Sequence, residues 1–422
     1  MARRQGGVAV AVGAAHGEQP HTAAPPHGNR RADIQGLRAV AVLVVILDHV
    51  GMPGFPGGFV GVDVFFVISG YVITRMLLHT STQPGRAWFL DFYAKRARRI
   101  VPAATLVVAL TVIATFELTN FLRGARVLPD ATAASLFLAN FHFIETGSDY
   151  ARLGGDPSPL QHYWSLAVEE QFYLVWPLLM LLAIAVAARW RRATLRQVLF
   201  ALLVAIVAAS YLYSIVVTSA NGVEAFFSPL TRAWELAIGC LIAVAQPWLA
   251  ARVVTRPIIA GALSWSGTTA ITWSVIFLDD TSRFPGWVAA VPVLGTAMIL
   301  VSGLRVQRTV PTTVLGNRVF TYIGDISYSL YLVHWPVFTI TAARIGEDFS
   351  WPAQVLLIGV TFAGAAAMYH AFEDPIRRSR ALAARPWLSL AIVPAGIAVV
   401  FAVAAFERYR WALPVPLVQQ LF

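Results

Sequence analysis

The sequence predicts an all-α fold: a polytopic integral membrane protein with about eleven transmembrane helices. Three observations predict it. Of 422 residues, 57% are hydrophobic and only 13% are charged, whereas a soluble domain carries about 25% charge. The apolar residues gather into stretches of bilayer length, and 25 Phe with 13 Trp suit a lipid-facing surface with interfacial anchors. Arginines are frequent in every second connection between those stretches and sparse in the others. A mean hydropathy of +0.65 agrees.

In chain order, residues 1–31 are rich in Ala, Gly, Pro and His without an apolar core, and read as a disordered cytoplasmic tail. A transmembrane domain follows over 32–406. Its spans are expected at 34–52, 58–78, 100–119, 166–188, 195–217, 228–247, 257–278, 287–304, 320–343, 353–373 and 388–406. The first lacks a small-residue cleavage site and runs straight into another apolar stretch, so it is not a cleaved signal peptide. The loop GMPGFPGG after it makes span 1 short and brings backbone into membrane depth, which is tolerated only beside protein or a wet cavity. Residues 119–165 form the one long external connection, with an amphipathic stretch around 131–144 and a Gly/Pro-rich turn, GGDPSPL. Residues 407–422 are a C-terminal tail.

The positive-inside rule orients this scheme. With Arg3, Arg4, Arg30 and Arg31 inside, the inner loops hold Lys95 to Arg99, Arg189 to Arg196, Arg252 and Arg256, Arg305 to Arg318, and Arg377 to Arg385. The outer loops hold Asp149, Asp156, Glu224, Asp279, Asp280, Glu347 and Asp348. The alternation requires an odd number of spans, an inside N-terminus and an outside C-terminus in the cell membrane. The net charge of +10 is therefore a topology signal. Nucleic acid is excluded as a partner, because the charges are few and lie between apolar runs. Cys240 is the only cysteine, so no internal disulfide exists; it reads as a packed side chain. Lys95 as the only lysine reflects composition bias.

Ionisable residues inside spans are costly, by roughly 2.5–3.5 kcal/mol on insertion scales, and so point to function. Arg38 and His49 lie eleven positions apart in span 1, within about 20° of one face and about 16 Å along the axis. With Arg38 at the inner interface, His49 reaches the midplane, where a neutral imidazole can take a proton. The competing reading is a snorkelling arginine and a packing histidine. In span 2, Asp63, Gly70 and Thr74 share a face, and Asp63 either tunes His49 or caps the helix. LQHYWSLAVEEQFYLVWP sets His162, Ser165, Glu169 and Tyr173 at i, i+3, i+7 and i+11, with Trp164 and Glu170 beside them. This is a carboxylate-bearing outer mouth or an interfacial collar. Arg232 and Glu235 read as an internal ion pair. Tyr331 and His334 precede Pro336, which frees a carbonyl that His334 could satisfy. Arg96 and Arg99 before span 3, and Arg377 with Arg378 after span 10, suit phosphate oxygens or lipid headgroups. No metal site is evident: His370 and Glu373 have no third ligand.

Together these segments resemble the acyltransferase 3 family of membrane O-acyltransferases, the bacterial O-antigen acetylase type. The motifs are DIQGLRAVAVLVVILDH with its R-x10-H, GGFVGVDVFFVISGYVIT, FYAKRARRIVP with its R-x-x-R, HYWSLAVEEQFYLVWP, TRAWELAIG, ISYSLYLVHWPV and FEDPIRR, in family order over about 33–380. The resemblance implies transfer of an acyl group, usually acetyl, from cytoplasmic acyl-CoA to a hydroxyl, commonly of an outer glycan. It implies His49 as the essential histidine with Arg38 as its motif partner, and Arg96 and Arg99 on the CoA side, where the guanidinium of Arg377 is also expected. Asp63 or Glu169 is expected to tune His49. His162, Trp164, Ser165, Glu170, Tyr331 and His334 are expected around the acceptor. The wording GGFVGVDVFFVISG is similar to a branch that continues into an extracytoplasmic SGNH-hydrolase-like domain. The chain here stops at Phe422, so it is either the membrane portion alone or a protein that works without that partner. Alternatives are an acyltransferase for a small lipophilic acceptor such as a macrolide, or a proton-coupled transporter. The absence of internal repeats argues against a carrier built from duplicated halves.

Overall fold

The computed structural model describes residues 31–80, 86–147, 157–189, 193–305, 309–346 and 348–412. The proposed N-terminal tail up to residue 30, the first three residues of the GGDPSPL turn and the end of the C-terminal tail lie outside the described residues. Among the described residues there are helices and no strands. They run α1 (Ala32–His49), α2 (Gly61–Thr80), α3 (Arg86–Leu118), α4 (Phe121–Ser135), α5 (Ala139–Glu145), α6 (Tyr163–Arg189), α7 (Leu195–Ala220), α8 (Gly222–Phe227) and α9 (Pro229–Trp248). The second half holds α10 (Pro257–Phe277), α11 (Ala290–Ser302), α12 (Val310–Leu315), α13 (Arg318–Asp325), α14 (Ser327–Ile345), α15 (Trp351–Met368), α16 (Asp374–Arg378), α17 (Arg380–Ala384) and α18 (Pro386–Ala412).

Each expected span overlaps helix, the ninth running across both α13 and α14, and seven helical stretches are long and apolar enough to cross a bilayer. The count of eleven is not established by these criteria: α11, for example, has only 13 residues. The surface is inverted relative to a soluble protein. Leu212, Ile258 and Phe401 are exposed, while Asp63, Arg232 and His162 are buried. This is an all-α, polytopic membrane protein.

Helix starts follow local chemistry. Asn120 caps α4 by accepting from the Arg123 N–H at 3.0 Å, and Thr194 with Gln197 forms a capping box on α7. Neighbouring directions obey the alternation that odd and even spans require. Tyr173 and Tyr163 of α6 meet Arg96 and Ala104 of α3 in reverse order, so these helices are antiparallel. Ser389 and Arg410 of α18 meet Arg98 and Glu117 of α3 in the same order, so those are parallel.

The Gly-rich loop after α1 turns back along it. A Cβ at Gly58 would lie 2.1 Å from the Val44 carbonyl oxygen, and one at Gly61 would lie 2.2 Å from that of Ala41. Only glycine permits that approach. On α2, the shared face of Asp63, Gly70 and Thr74 is the face packed on α9. A Cβ at Gly70 would sit 1.9 Å from the Leu236 oxygen, a small-residue contact of the kind membrane helices use. The amphipathic stretch expected at 131–144 is two helices, α4 and α5, broken where Phe137 adopts φ 55°.

Candidate active site

Sequence-distant elements bring His49, His162 and His334 together. His49 ends α1, His334 lies in the middle of α14, and His162 ends a non-helical strap that leads into α6. That strap is held inside the bundle: the indole N–H of Trp335 donates to the Ser158 carbonyl at 2.7 Å, and Leu160, Gln161 and His162 are buried.

The hydrogen bonds fix the tautomers. His334 Nδ1 lies 3.1 Å from the Leu330 carbonyl oxygen, which can only accept, so Nδ1 carries the proton. In the neutral ring His334 Nε2 is then a lone-pair acceptor, and His49 Nδ1, 3.1 Å away, donates to it. The lone pair of His49 consequently sits on Nε2. The two rings are nearly parallel, 2° between planes, and the edge of Trp335 packs against His49 at 4.5 Å between centroids.

His162 donates from Nε2 to the Leu332 carbonyl at 3.1 Å. Leu332 lies four residues before Pro336, so its oxygen is the one that the proline leaves without a helical partner. The expectation that His334 meets that need is corrected: His162 does, and His334 orients His49 instead. Nδ1 of His162 is buried and has no hydrogen-bond partner among the described residues.

From this cluster a polar ladder descends the face of α6 that the i, i+3, i+7, i+11 spacing identifies. The Ser165 and Tyr331 hydroxyls are 2.6 Å apart, and Tyr331 also donates to the His162 carbonyl at 2.9 Å. One turn on, Glu169 accepts from Ser69 of α2 and from Tyr173. The Arg96 guanidinium covers the Tyr173 ring at 4.7 Å. Arg99, Arg38, Glu170 and Glu373 complete this lower, charged layer, within electrostatic reach of one another. Arg38 donates to Gln35 at 3.2 Å, and Ser329 donates to Glu373 at 2.6 Å. Glu169 and Glu170 thus lie inside the bundle and not at an outer mouth. Tyr163, at the top of α6, reaches the Ala104 carbonyl, eight residues or about 12 Å along α3 from Arg96.

Other expected site residues are placed elsewhere. Asp63 pairs with Arg232 at 3.1 Å, and Arg232 with Glu235 at 3.0 Å, all buried. Asp63 is therefore engaged by α9 and not by His49, because the α2 face it shares with Gly70 is the α9-packing face. Trp164 belongs to the same group: its ring, with those of Phe226 and Phe284, surrounds the Arg232 guanidinium. Arg377 is bound by Asp374 and by the Tyr369 hydroxyl at 3.2 Å, beside the lower layer. Sequence reasoning missed Ser69, Ser329, Trp335 and the role of Glu373. Glu373 stands in the FEDPIRR motif, but its spacing gives it no partner. Among the described residues no group of His, Cys, Asp and Glu is arranged to hold a metal.

Residues 31–370 match the family model of the acyltransferase domain. The chain is 30% identical over 357 residues to peptidoglycan O-acetyltransferase OatA of Listeria monocytogenes, covering 82% of this chain and 56% of that protein. It is 34% identical over 359 residues to putative peptidoglycan O-acetyltransferase YrhL of Bacillus subtilis, covering 82% and 54%. With O-acetyltransferase OatA of Staphylococcus aureus the identity is 28% over 355 residues, covering 82% and 57%. The chain thus spans a little over half the length of the curated relatives it matches. No solved structure matches. By the extent of the domain match, and by the motifs it contains, this chain belongs to the acyltransferase 3 family.

Proposed function

We propose that this chain is a membrane O-acyltransferase that passes an acetyl group from acyl-CoA to a hydroxyl of a cell-wall glycan. The observation that carries the reading is the His49–His334–Leu330 hydrogen-bond chain, connected by the α6 ladder to a layer of arginines. In this reading the bundle sits in the plasma membrane with the N-terminus and the arginine layer on the cytoplasmic side. Guanidinium groups suit the phosphates of coenzyme A. The donor binds from the side of Arg38, Arg96, Arg99 and Arg377, with its acyl end reaching toward the histidines.

The chemistry follows from the tautomer. The lone pair at His49 Nε2 takes the proton of the acceptor hydroxyl as that oxygen attacks the thioester carbonyl carbon. The tetrahedral centre collapses by breaking the C–S bond, and the thiolate takes the proton back from His49. His334 holds His49 in the competent tautomer and spreads the transient imidazolium charge through its acceptor nitrogen. The acceptor nitrogen of His162 can take a hydrogen bond from the glycan hydroxyl, and the Tyr331 and Ser165 hydroxyls line the same polar site. Support for the acceptor class comes from the relatives, which are named as acting on peptidoglycan. The membrane portion is proposed to act with an extracytoplasmic SGNH-like domain. The test is incubation of membranes containing the protein with labelled acetyl-CoA and cell-wall glycan. Ester-linked label on the glycan, lost in His49→Ala, is expected. Label transfer undiminished in that variant overturns the mechanism, and proton-dependent uptake without modification overturns the enzyme reading.

A further inference from the structure

At the end of the bundle remote from Arg96, the chain builds a second feature that the proposed reaction does not use. Helix α4 is not a span: it has 15 residues and an amphipathic pattern, and it packs across the ends of α3 and α18. Its close approach depends on Gly124, where a Cβ would meet the Phe116 ring at 2.4 Å. Where α4 diverges from α18 a cleft of about 630 Å³ opens, lined by Phe116, Phe121, Leu128, Phe401, Ala404 and Arg408 among others. Phe121 and Phe401 are exposed into it.

One charged residue, Arg408, lines this cleft. Arg408 lies on the cleft side of α18 without an ion-pair partner among the described residues. Its near neighbour Arg410 is consumed by Glu117 and Glu407, a staple between α3 and α18. Glu407 is therefore committed to Arg410, and Asp130 on α4 is committed to His142 at 2.8 Å. The nearby acids are thus spoken for, while Arg408 remains at the mouth of an apolar slot. An apolar cleft ending in an uncompensated guanidinium complements an amphiphile with an anionic head.

We propose that this cleft is a binding site for an anionic phospholipid, with one acyl chain between α4 and α18 and the phosphate on Arg408. The Phe side chains and the small Ala404 face the chain, and the guanidinium fork takes the phosphate oxygens. A neutral lipid would fill the slot but leave Arg408 without a net charge to meet. A free headgroup would meet Arg408 but gain nothing from the slot.

The test is native mass spectrometry of the full chain in detergent, titrated with phosphatidylglycerol, phosphatidylcholine or glycerol phosphate. Phosphatidylglycerol is expected to bind in preference to phosphatidylcholine, and glycerol phosphate not to bind detectably. Arg408→Gln should reduce the preference about fivefold, the equivalent of roughly 1 kcal/mol for one basic residue near an anionic headgroup. Ala404→Phe should block both lipids by filling the slot, while helix content stays unchanged. Equal binding of the two lipids, an unchanged preference in Arg408→Gln, or glycerol phosphate binding as well as the lipid overturns the proposal. Should Ala404→Phe fail to fold, Arg408→Gln alone decides, since that side chain is exposed.

Discussion

The histidine cluster and the Asp63–Arg232–Glu235 group are both polar islands buried in an apolar bundle, and they are built in opposite ways. The ion group commits its charges. One guanidinium nitrogen of Arg232 meets both carboxylates, its Nε donates to the Phe226 carbonyl at 3.0 Å, and three aromatic rings close around it. The histidine cluster needs no charge: with neutral rings its hydrogen bonds are met ring to ring and ring to backbone. It spends one nitrogen of His162 and one of His334 on backbone carbonyls, and Nδ1 of His162 has no hydrogen-bond partner among the described residues. Burying a charge without its partner is costly, and burying a neutral imidazole is less so. Asp63 Oδ2 and Glu235 Oε2 are themselves without a hydrogen-bond partner among the described residues, and we propose the second arrangement, not the first, as the one used for chemistry. One island holds helices together, and the other can work.

The largest effect expected from that contrast is on turnover. His49→Gln should cut acyl transfer by about 10²–10⁴-fold, the range of a positioned general base, with thermal stability in detergent unchanged. Arg232→Leu should do the reverse. It leaves two buried carboxylates without their cation and should cost about 3–5 kcal/mol of stability, read as loss of folded protein during chromatography. Replacing Arg232, Asp63 and Glu235 together by Met and Leu should recover most of that loss, since an apolar set of similar volume needs no pairing. A triple variant that folds but is inactive would break the contrast, because it would give the ion group a part in catalysis.

Next in size is the arginine layer. Arg99→Ala should raise the KM for acyl-CoA by about ten- to a hundredfold, the value of a charge-assisted hydrogen bond at 1.5–3 kcal/mol, with little change in kcat. An unchanged KM would remove Arg99 from the donor site. His334→Ala should lower kcat about tenfold through the lost orienting bond to His49, with acyl-CoA binding unaltered. A loss as large as that in His49→Gln would instead make His334 a direct participant.

The two islands also differ in how far the sequence discloses them. Arg232 and Glu235 lie three residues apart, so helix periodicity alone pairs them, and they are paired. The face of α6 that carries His162, Ser165, Glu169 and Tyr173 is legible for the same reason. The partners of those faces are not. His49 meets His334 across 285 positions, and Arg232 meets Asp63 across 169; periodicity gives the face a residue is on, never the helix opposite. Asp63 illustrates this: its helix face was identified, and its partner helix was α9 and not α1. Pro336 announces a carbonyl in need of a donor, yet the donor comes from a non-helical strap whose burial no hydropathy pattern marks, since GGDPSPLQH reads as an exposed loop. The helices themselves were readable because apolar length is a local property.

The smallest effect lies outside the bundle core, at the elbow of α4 and α5, where His142 Nε2 is 2.8 Å from Asp130 Oδ1. The hydrogen bond to Asp130 raises the His142 pKa above its ordinary 6.5. The folded state therefore holds this proton more tightly than the unfolded chain does. Its stabilisation is complete below about 6.5 and is lost as pH rises through the raised folded value. The pair is partly exposed, so it should contribute no more than about 1 kcal/mol. Amide exchange over residues 121–145 should be slower at pH about 5.5 than at about 8.5, after correction for intrinsic rates, and His142→Gln should abolish that difference. Because α4 forms one wall of the Arg408 cleft, the proposed lipid binding should be weakly pH-dependent in the same direction. The histidine cluster, pinned by backbone carbonyls and by packing, should show no matching change in protection between those two pH values. Equal pH sensitivity at α14 would mean that the elbow and the site are mechanically coupled, and would erase the division between a working interior and a separately held rim.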